Sequence, residues 1–396
     1  MCSTITPKHA AGQNAVRNLP PNTTAGALIP LKTYLDKAVI TSAAKLVPPS
    51  GTTLPPNVRS THVPISLMPL TNNGQNLDNY YAGVFDDEMH FSASLVKVAA
   101  LFAAGQFHAE AKAFATNFAT WSSFLTAFNA SLKAEINATA DTPIKNAGLF
   151  MTPQTATILK PSAFPTIAFA DAFKNSLARM IVQSDDDDAG ICIRALGYGY
   201  INTALKQANF FNSSTGIWLA ATYHKGDPMV RIPCVNDHPD GELTTSRLMC
   251  RLMAMIRLGQ LPQNDADANS LMQGWLNEPK TGGTGPWLGH GRGNTVGPLF
   301  SILQDKIGFA GLGSDEIPLV YSEGLIIKWN DTSQLDTVNN KIDPTNAHPE
   351  IHLSGEIALC WQNLLDDLIP PPPGNFDGII EVMNNSISGF LNQTPV

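Results

Sequence analysis

Ser94 and Lys97 are the first residues of this chain whose types and spacing promise chemistry. Lys97 is the only charge in an apolar stretch, 93–104 (ASLVKVAALFAA), which reads as a buried helix closed by Gly105 at a C′ position. A buried lysine is rare unless it is paired. Ser94 stands three residues earlier, so the two side chains share one helix face. In a first helical turn, free N–H groups and the positive dipole end favour a bound oxyanion. Desolvation and that dipole both disfavour the ammonium, so the Lys97 pKa should fall toward the range of a general base. Serine beside such a lysine is an activated nucleophile. The S-x-x-K spacing also occurs by chance. A second match, Ser42 to Lys45, lies at the end of a helix ahead of a Pro-rich linker and reads as a solvated helix end.

Two further groups follow in order. Ser184-Asp185-Asp186 lies between one helix pattern (AFKNSLARMIVQ) and the next (DDAGICIRALG), placing a hydroxyl and acidic groups at a helix–helix junction. The plainer reading of Asp185 to Asp188 is an acidic cluster complementing the dipole of the second helix. Lys306-Ile307-Gly308 lies on a predicted strand, where Gly308 lets a substrate backbone approach and Lys306 offers a charge to a carboxylate. Lys280-Thr281-Gly282 has similar letters but opens into a Gly-rich stretch, GGTGPWLGHGRG, and reads as a loop.

The elements that must position these residues are legible in outline. Residues 1–29 read as an irregular arm, 30–46 as a helix, and 48–56 as a Pro-rich linker. Strands are predicted at 62–69 and 79–85, and helices at 108–137, 168–183, 187–196, 200–208, 245–259 and 266–277. A strand hairpin is expected from 306–312 and 317–329 around Gly313-Ser314-Asp315. Residues 353–369 (LSGEIALCWQNLLDDLI) read as an amphipathic helix, followed by a tail at 370–396. The fold class expected is α+β: one antiparallel sheet built from both parts of the chain and covered by N- and C-terminal helices, with an inserted all-helical lobe. The units are 1–58 (arm and helix), 59–105 with 295–369 (α/β lobe), 106–294 (helical lobe) and 370–396 (tail). A cleft between the lobes is the expected place for a site.

S-x-x-K, S-D-x and K-x-G in this order resemble the serine β-lactamase and penicillin-binding protein superfamily, in its class A-like form. Tyr80 to Phe102 looks like that family's second strand, turn and nucleophile helix. Ser184 to Gly197 looks like its S-D-N loop and following helix. Thr244-Thr245-Ser246 before a helix also fits. The resemblance covers about residues 60–330, with an insertion in 110–165. It implies that Ser94 is acylated, Lys97 accepts its proton, and Ser184 relays a proton to the leaving group. Asp186 would contact substrate amide and Lys97, Lys306 would hold a substrate carboxylate, and Gly308 would border the substrate. The N–H groups of Ser94 and Phe309 would form the oxyanion hole.

Four departures stand out. Asp186 replaces the family's asparagine and adds negative charge beside Lys97. Ile307 replaces a threonine. Between 198 and 243 the only glutamate is Glu242, so the E-x-x-x-N pattern used for deacylation is missing. No fifth strand is evident after Trp329. The reading is an active-site serine hydrolase or acyltransferase acting on an amide, ester or lactam. The alternatives are a slow-acylating or non-catalytic sensor on the same fold, and a D,D-peptidase or transpeptidase. Tyr200-Ile201-Asn202, a second element in other branches of the family, reads as surface or packing tyrosine.

The rest of the sequence excludes more than it offers. The net charge of −8 argues against a nucleic-acid or anionic-membrane binder. The expected partner is a small-molecule or peptide-like substrate. No cofactor and no metal are expected. His348 and His352 flank Pro349 and read as loop, the four aspartates lack the Gly and Glu of an EF-hand, and Gly282 to Gly293 lack a Walker pattern. That Gly-rich stretch reads as a lid bordering the cleft. Trp121, Phe124 and Phe128 read as core. The five cysteines are widely spaced and read mostly as buried free thiols. No signal peptide or membrane span is visible, which suggests a cytoplasmic protein as written, and a periplasmic or secreted one if a leader has been removed.

Overall fold

The computed structural model describes residues 31–48, 54, 58–70, 81–212, 214–224, 226–236, 238, 241–260, 265–277, 300–311, 319–329, 335–336, 341–342, 355–366 and 373–392. In chain order the elements open with α1 (Leu31–Thr41), α2 (Ala43–Leu46), β1 (Ile65–Pro69), β2 (Ala82–Val84) and β3 (His90–Phe91). A single 3-10 turn, Ala93–Val96, leads into α3 (Lys97–Ala115). The helical part continues with α4 (Trp121–Thr139), α5 (Thr142–Ala147), α6 (Thr155–Ile158), the strands β4 (Leu159–Ala163) and β5 (Thr166–Phe169), α7 (Asp171–Val182), α8 (Asp186–Leu196) and α9 (Tyr198–Gln207). Then come β6 (Trp218–Leu219), β7 (Glu242–Thr244), α10 (Ser246–Arg257) and α11 (Ala266–Asn277). The last part holds β8 (Phe300–Gly311), β9 (Leu319–Trp329), β10 (Leu335–Asp336), β11 (Lys341–Ile342), β12 (Glu356–Asp366) and α12 (Pro373–Asn392).

Five strands form one antiparallel sheet in the order β2-β1-β12-β9-β8. Its two faces follow the two-residue alternation of strands. Ile65, Leu67, Ile307, Tyr321, Leu325, Ile327, Leu359 and Trp361 pack on one face beneath α1 and α12. Met68, Val320, Ile326, Ala358 and Cys360 face the other way, toward α3 and α10. Helix α3 is apolar all round and buried from Val98 to Ala104, as a helix wrapped by other elements must be. The protein is therefore a mixed helical and antiparallel-sheet molecule, as the α+β reading expects.

Several elements differ from the sequence reading. Residues 353–369 are not a helix: β12 occupies their centre, forms the middle strand of the sheet, and supplies the fifth strand that the sequence did not show. The segment read as a tail contains α12, which packs on α1. The predicted helix 108–137 breaks between α3 and α4, where the Thr120 hydroxyl accepts the Ser123 N–H at 3.2 Å and starts a new helix. The start of the predicted helix 168–183 belongs to β5. Residues 106–294 are not all helix: they also hold the β4–β5 hairpin and the strands β6 and β7, which form a small sheet with β3 of the preceding segment. The arm 1–29, the turn at 313–315, Lys280 to Gly282, the Gly-rich stretch 281–295, His348 and His352 lie outside the described residues. Cys192, Cys250 and Cys360 are buried free thiols, and Cys234 is half-buried.

One buried polar cluster ties α3 to the start of α11. The His108 ring meets the Asp265 carboxylate at 2.7 Å, and Lys112 Nζ donates to Asp265 at 3.1 Å. Asp265 also accepts the Ala268 N–H at 3.2 Å. Burial alone would push this carboxyl up, but the hydrogen bonds from His108 and Lys112 outweigh it and hold it well below the usual carboxylate range. Its ionised form therefore stabilises the fold above the unfolded carboxylate pKa of about 3.9, and this is lost as pH falls through the folded value. Asp265→Asn is expected to cost about 3 kcal/mol at pH 7, with the deficit shrinking as pH drops below about 4. Urea denaturation at pH 7 and pH 3 checks this.

Candidate active site

Ser94 lies in the 3-10 turn that precedes α3, one turn earlier than a helix-borne serine, and it is half-buried. That turn is held from several sides. The Ser92 N–H donates to the Glu242 carbonyl of β7 at 3.0 Å. The Ser322 hydroxyl of β9 donates to the Ser92 carbonyl at 2.9 Å. Gln362 Nε2, from β12, donates to Ser92 Oγ at 2.6 Å, and Ser92 Oγ donates to the His90 carbonyl at 3.0 Å. Tyr223 donates its hydroxyl to the Ala93 carbonyl at 2.9 Å.

Lys97 is fully buried at the start of α3. Its Nζ donates to the Ser184 carbonyl at 2.7 Å and to Asp186 Oδ1 at 2.5 Å, with the Asp185 carbonyl at 3.4 Å. It also lies 4.5 Å from the centroid of the Tyr223 ring. Burial pushes the Lys97 ammonium down, while the Asp186 carboxylate pulls it back; the net direction is below an ordinary lysine. Glu242 and Asp185 act in the same sense as Asp186. Among the described residues, Lys97 makes no hydrogen bond to the Ser94 hydroxyl; its donors go to the 184–186 segment.

The four aspartates after Ser184 separate by role. Asp185 caps α8, accepting the Asp188 N–H at 2.8 Å. Asp186 reaches Lys97. The exposed Asp187 faces His224 at 3.7 Å. Asp188 is buried and takes both arms of the Arg179 guanidinium, at 2.6 Å for Nη2 to Oδ1, which fixes the α7–α8 junction. The cluster is thus not simply a solvated helix start.

Lys306, buried on β8, donates to Ser184 Oγ at 2.7 Å and to the Ile307 carbonyl at 3.0 Å. Ser184 therefore joins two lysines, its carbonyl to Lys97 and its hydroxyl to Lys306. Gly308 is fitted against the nucleophile turn. A Cβ there would lie 2.3 Å from the Ser92 carbonyl oxygen and 2.6 Å from the Leu95 nitrogen. Side chains of Ile307 and Phe309 take the other sheet face, Ile307 in the core beneath α1 and α12, and Phe309 stacked on Tyr321 with centroids 6.2 Å apart. The Phe309 side chain therefore lies on the sheet face opposite to Lys306 and Gly308.

Three of the seven described non-glycine residues with positive φ cluster at this site: Ala93 at 46°, Ser184 at 58° and Tyr223 at 63°. Each conformation costs of order 1–3 kcal/mol, which the surrounding contacts must hold in place. Ser94, Lys97, Ser184, Asp186, Lys306 and Gly308, read from sequence as one constellation, are brought together. Tyr200 is not among them: it is buried in α9 and donates to Glu110 at 2.9 Å, where burial pushes the Glu110 carboxyl up to about 7. Asn202 accepts the Asp141 N–H at 2.7 Å. The other S-x-x-K lysine, Lys45, is half-exposed and pairs with Glu381 at 2.8 Å. Tyr223, Ser92, Ser322 and Gln362 went unread because no local motif marks them; only Ser322 lies on a strand that the sequence predicts.

Among the described residues no group of three or more His, Cys, Asp or Glu side chains is arranged to hold a metal ion, and no helix is long and apolar enough to cross a membrane. No family model and no curated protein matches the chain. Solved structures that resemble it include the TLA-1 extended-spectrum β-lactamase, at 13% identity, TM-score 0.48, covering 91% of this chain and 98% of that one. A class A β-lactamase from Mycobacterium abscessus is similar at 12% identity and TM-score 0.46, covering 90% and 99%. A β-lactamase from Desulfarculus baarsii is similar at 14% identity and TM-score 0.46, covering 90% and 98%. The likeness is one of chain course at low identity, and the chemistry of the site rests on the contacts described above.

Proposed function

We propose that the protein is an active-site serine hydrolase or acyltransferase that forms a seryl ester at Ser94. The observation that carries this reading is the convergence of a half-buried serine, a fully buried lysine and a second serine–lysine pair in one place. Lys97 in its amine form takes the Ser94 hydroxyl proton as Oγ bonds to the substrate's acyl carbon. Carbonyl electrons move to the oxygen, which the Ser94 and Phe309 N–H groups receive. The carbon–heteroatom bond then breaks, and the leaving group takes a proton relayed through Ser184, with Lys306 as the positive partner of that hydroxyl. Asp186 and Gly308 border the substrate, and Lys306 holds a substrate carboxylate. The acyl group passes to water or an amine. On this reading the site lies on the seam between an α/β lobe, 59–105 with 295–369, and a helical lobe, 106–294.

Incubation with a fluorescent penicillin or a fluorophosphonate is expected to label the folded protein, and Ser94→Ala is expected to abolish the adduct, a loss of at least about 1,000-fold. Intact-mass measurement checks it. Labelling that persists in Ser94→Ala, or no labelling of folded wild type by any acylating probe, sinks the reading. A second reading, a slow-acylating sensor, draws on the Lys97–Asp186 contact, which favours the ammonium form of the base. Mass measured over hours separates the two: a lasting adduct without product marks the sensor, and rapid loss with product marks the enzyme. Release of terminal D-alanine from a cell-wall peptide would mark a D,D-peptidase.

A further inference from the structure

Tyr223 belongs to none of the motifs, yet it touches Lys97 and the residue that precedes Ser94. It lies on the loop between β6 and β7, with φ of 63°. Its hydroxyl donates to the Ala93 carbonyl at 2.9 Å, one residue before Ser94. Its ring face lies 4.5 Å from Lys97 Nζ. Ala93 is itself held at φ 46°, so two strained residues support each other across this one hydrogen bond.

We propose that Tyr223 is a positioning residue: its ring face holds the Lys97 ammonium, and its hydroxyl pins the Ser94 turn, so base and nucleophile keep one register. This rests on the acylation of Ser94 proposed above. The loop backbone is not free to relax, because its neighbour Thr222 donates its hydroxyl to Asp227 at 2.6 Å and Arg194 also pairs with Asp227. The other groups facing Lys97 are Asp186 and Asp185 from the start of α8 and Glu242 from β7, with Lys306 of β8 linked through Ser184. All the nearby carboxylates favour the cation. The ring favours it too, but without adding charge, and it occupies the space where water would otherwise solvate the ammonium.

The two roles separate by substitution. Tyr, Phe and Leu are unbranched at Cβ and meet a similar penalty at positive φ, so Tyr223→Phe and Tyr223→Leu leave the backbone cost nearly unchanged. Tyr223→Phe keeps the ring and loses the hydroxyl bond. The rate of Ser94 labelling should fall about fivefold at every pH, with the rising limb of the pH–rate profile unmoved. Tyr223→Leu keeps the site apolar but loses the π face. Its limb should move down by about one pH unit, because the cation loses a favourable contact, and its plateau should fall as in Tyr223→Phe. The measurement is the labelling rate by a fluorescent acylating probe from pH 6 to pH 10, with a melting curve for each variant. A rate unchanged in Tyr223→Phe, or a limb that stays or moves up in folded Tyr223→Leu, overturns the proposal. If Tyr223→Leu does not fold, the rate of Tyr223→Phe decides. Failure of wild type to label at Ser94 removes the underlying reading instead, so the two failures are distinct.

Discussion

Asp186→Asn is expected to speed acylation of Ser94 by about tenfold at neutral pH and to shift the rising limb of its pH–rate profile downward by about one unit. Lys97 is buried, and burial already disfavours its ammonium. Asp186, 2.5 Å away, is the main group opposing that effect. Its side chain is 63% exposed, so water screens the pair and the gain is set near the low end of the one-to-three-unit range for a close opposite charge. Removing the carboxylate lowers the Lys97 pKa further. At pH 7 more of the lysine is then free amine, in proportion to that shift. Above the limb the rates should converge, since both proteins hold the amine there. Asp187→Asn, at the next residue and on the exposed side facing His224, is the control and should change neither rate nor profile. Stopped-flow labelling across pH checks both. A slower Asp186→Asn at neutral pH would mean that the carboxylate aligns Lys97 more than it restrains it.

Gly308→Ala is expected to remove labelling almost entirely, by about 100-fold or more, and to destabilise the protein by about 3 kcal/mol. The added methyl group would meet backbone on two sides, the Ser92 carbonyl oxygen at 2.3 Å and the Leu95 nitrogen at 2.6 Å. Neither can move alone. Ser92 is tied to β7, β9 and β12, and Leu95 is the next residue after Ser94. Relief of the clash must push β8 away from the turn, which separates Lys306 from Ser184 and, on the proposed mechanism, the Phe309 N–H from the developing oxyanion. Gly274→Ala in α11 is the counterpart: nothing lies within 4 Å of its Cβ, and alanine there should stabilise by about 0.5–1 kcal/mol. Chemical denaturation with a parallel labelling assay tests the pair.

The part of the site that was legible in the sequence is the part carried by three short motifs, around Ser94, Ser184 and Lys306, each read from neighbouring residues. Ser94 and Lys97 are neighbours along the chain, and the helices of α8 to α11 show clear apolar periodicity. The middle strand was illegible for a physical reason. In β12, Ile357, Leu359 and Trp361 face one core while Ala358 and Cys360 face the other, so no polar face marks a strand. A bulge between Trp361 and Leu364 then breaks the alternation and gives a spacing close to a helical one. Helix α12 was hidden by Pro370 to Pro373 ahead of it and by its glycines. Gly378 and Gly389 are there because α12 lies so close to its neighbours that a Cβ would press on Lys45 and Tyr34. Tyr223, Ser322 and Gln362 reach the site only through tertiary contacts, and no spacing rule in one sequence announces them.

The ties on Ser92 also set the order in which the Ser94 turn can be fixed during synthesis. Gln362 holds Ser92 across 270 residues of chain, and Ser322 holds it across 230. A ribosome that has delivered Ser94, Lys97 and Ser184 has delivered every reactive group but neither of these ties, nor Lys306. The nascent chain can tie this turn to Tyr223 and Glu242 first, and gains the ties from Ser322 and Gln362 only when β9 and the central strand are in place.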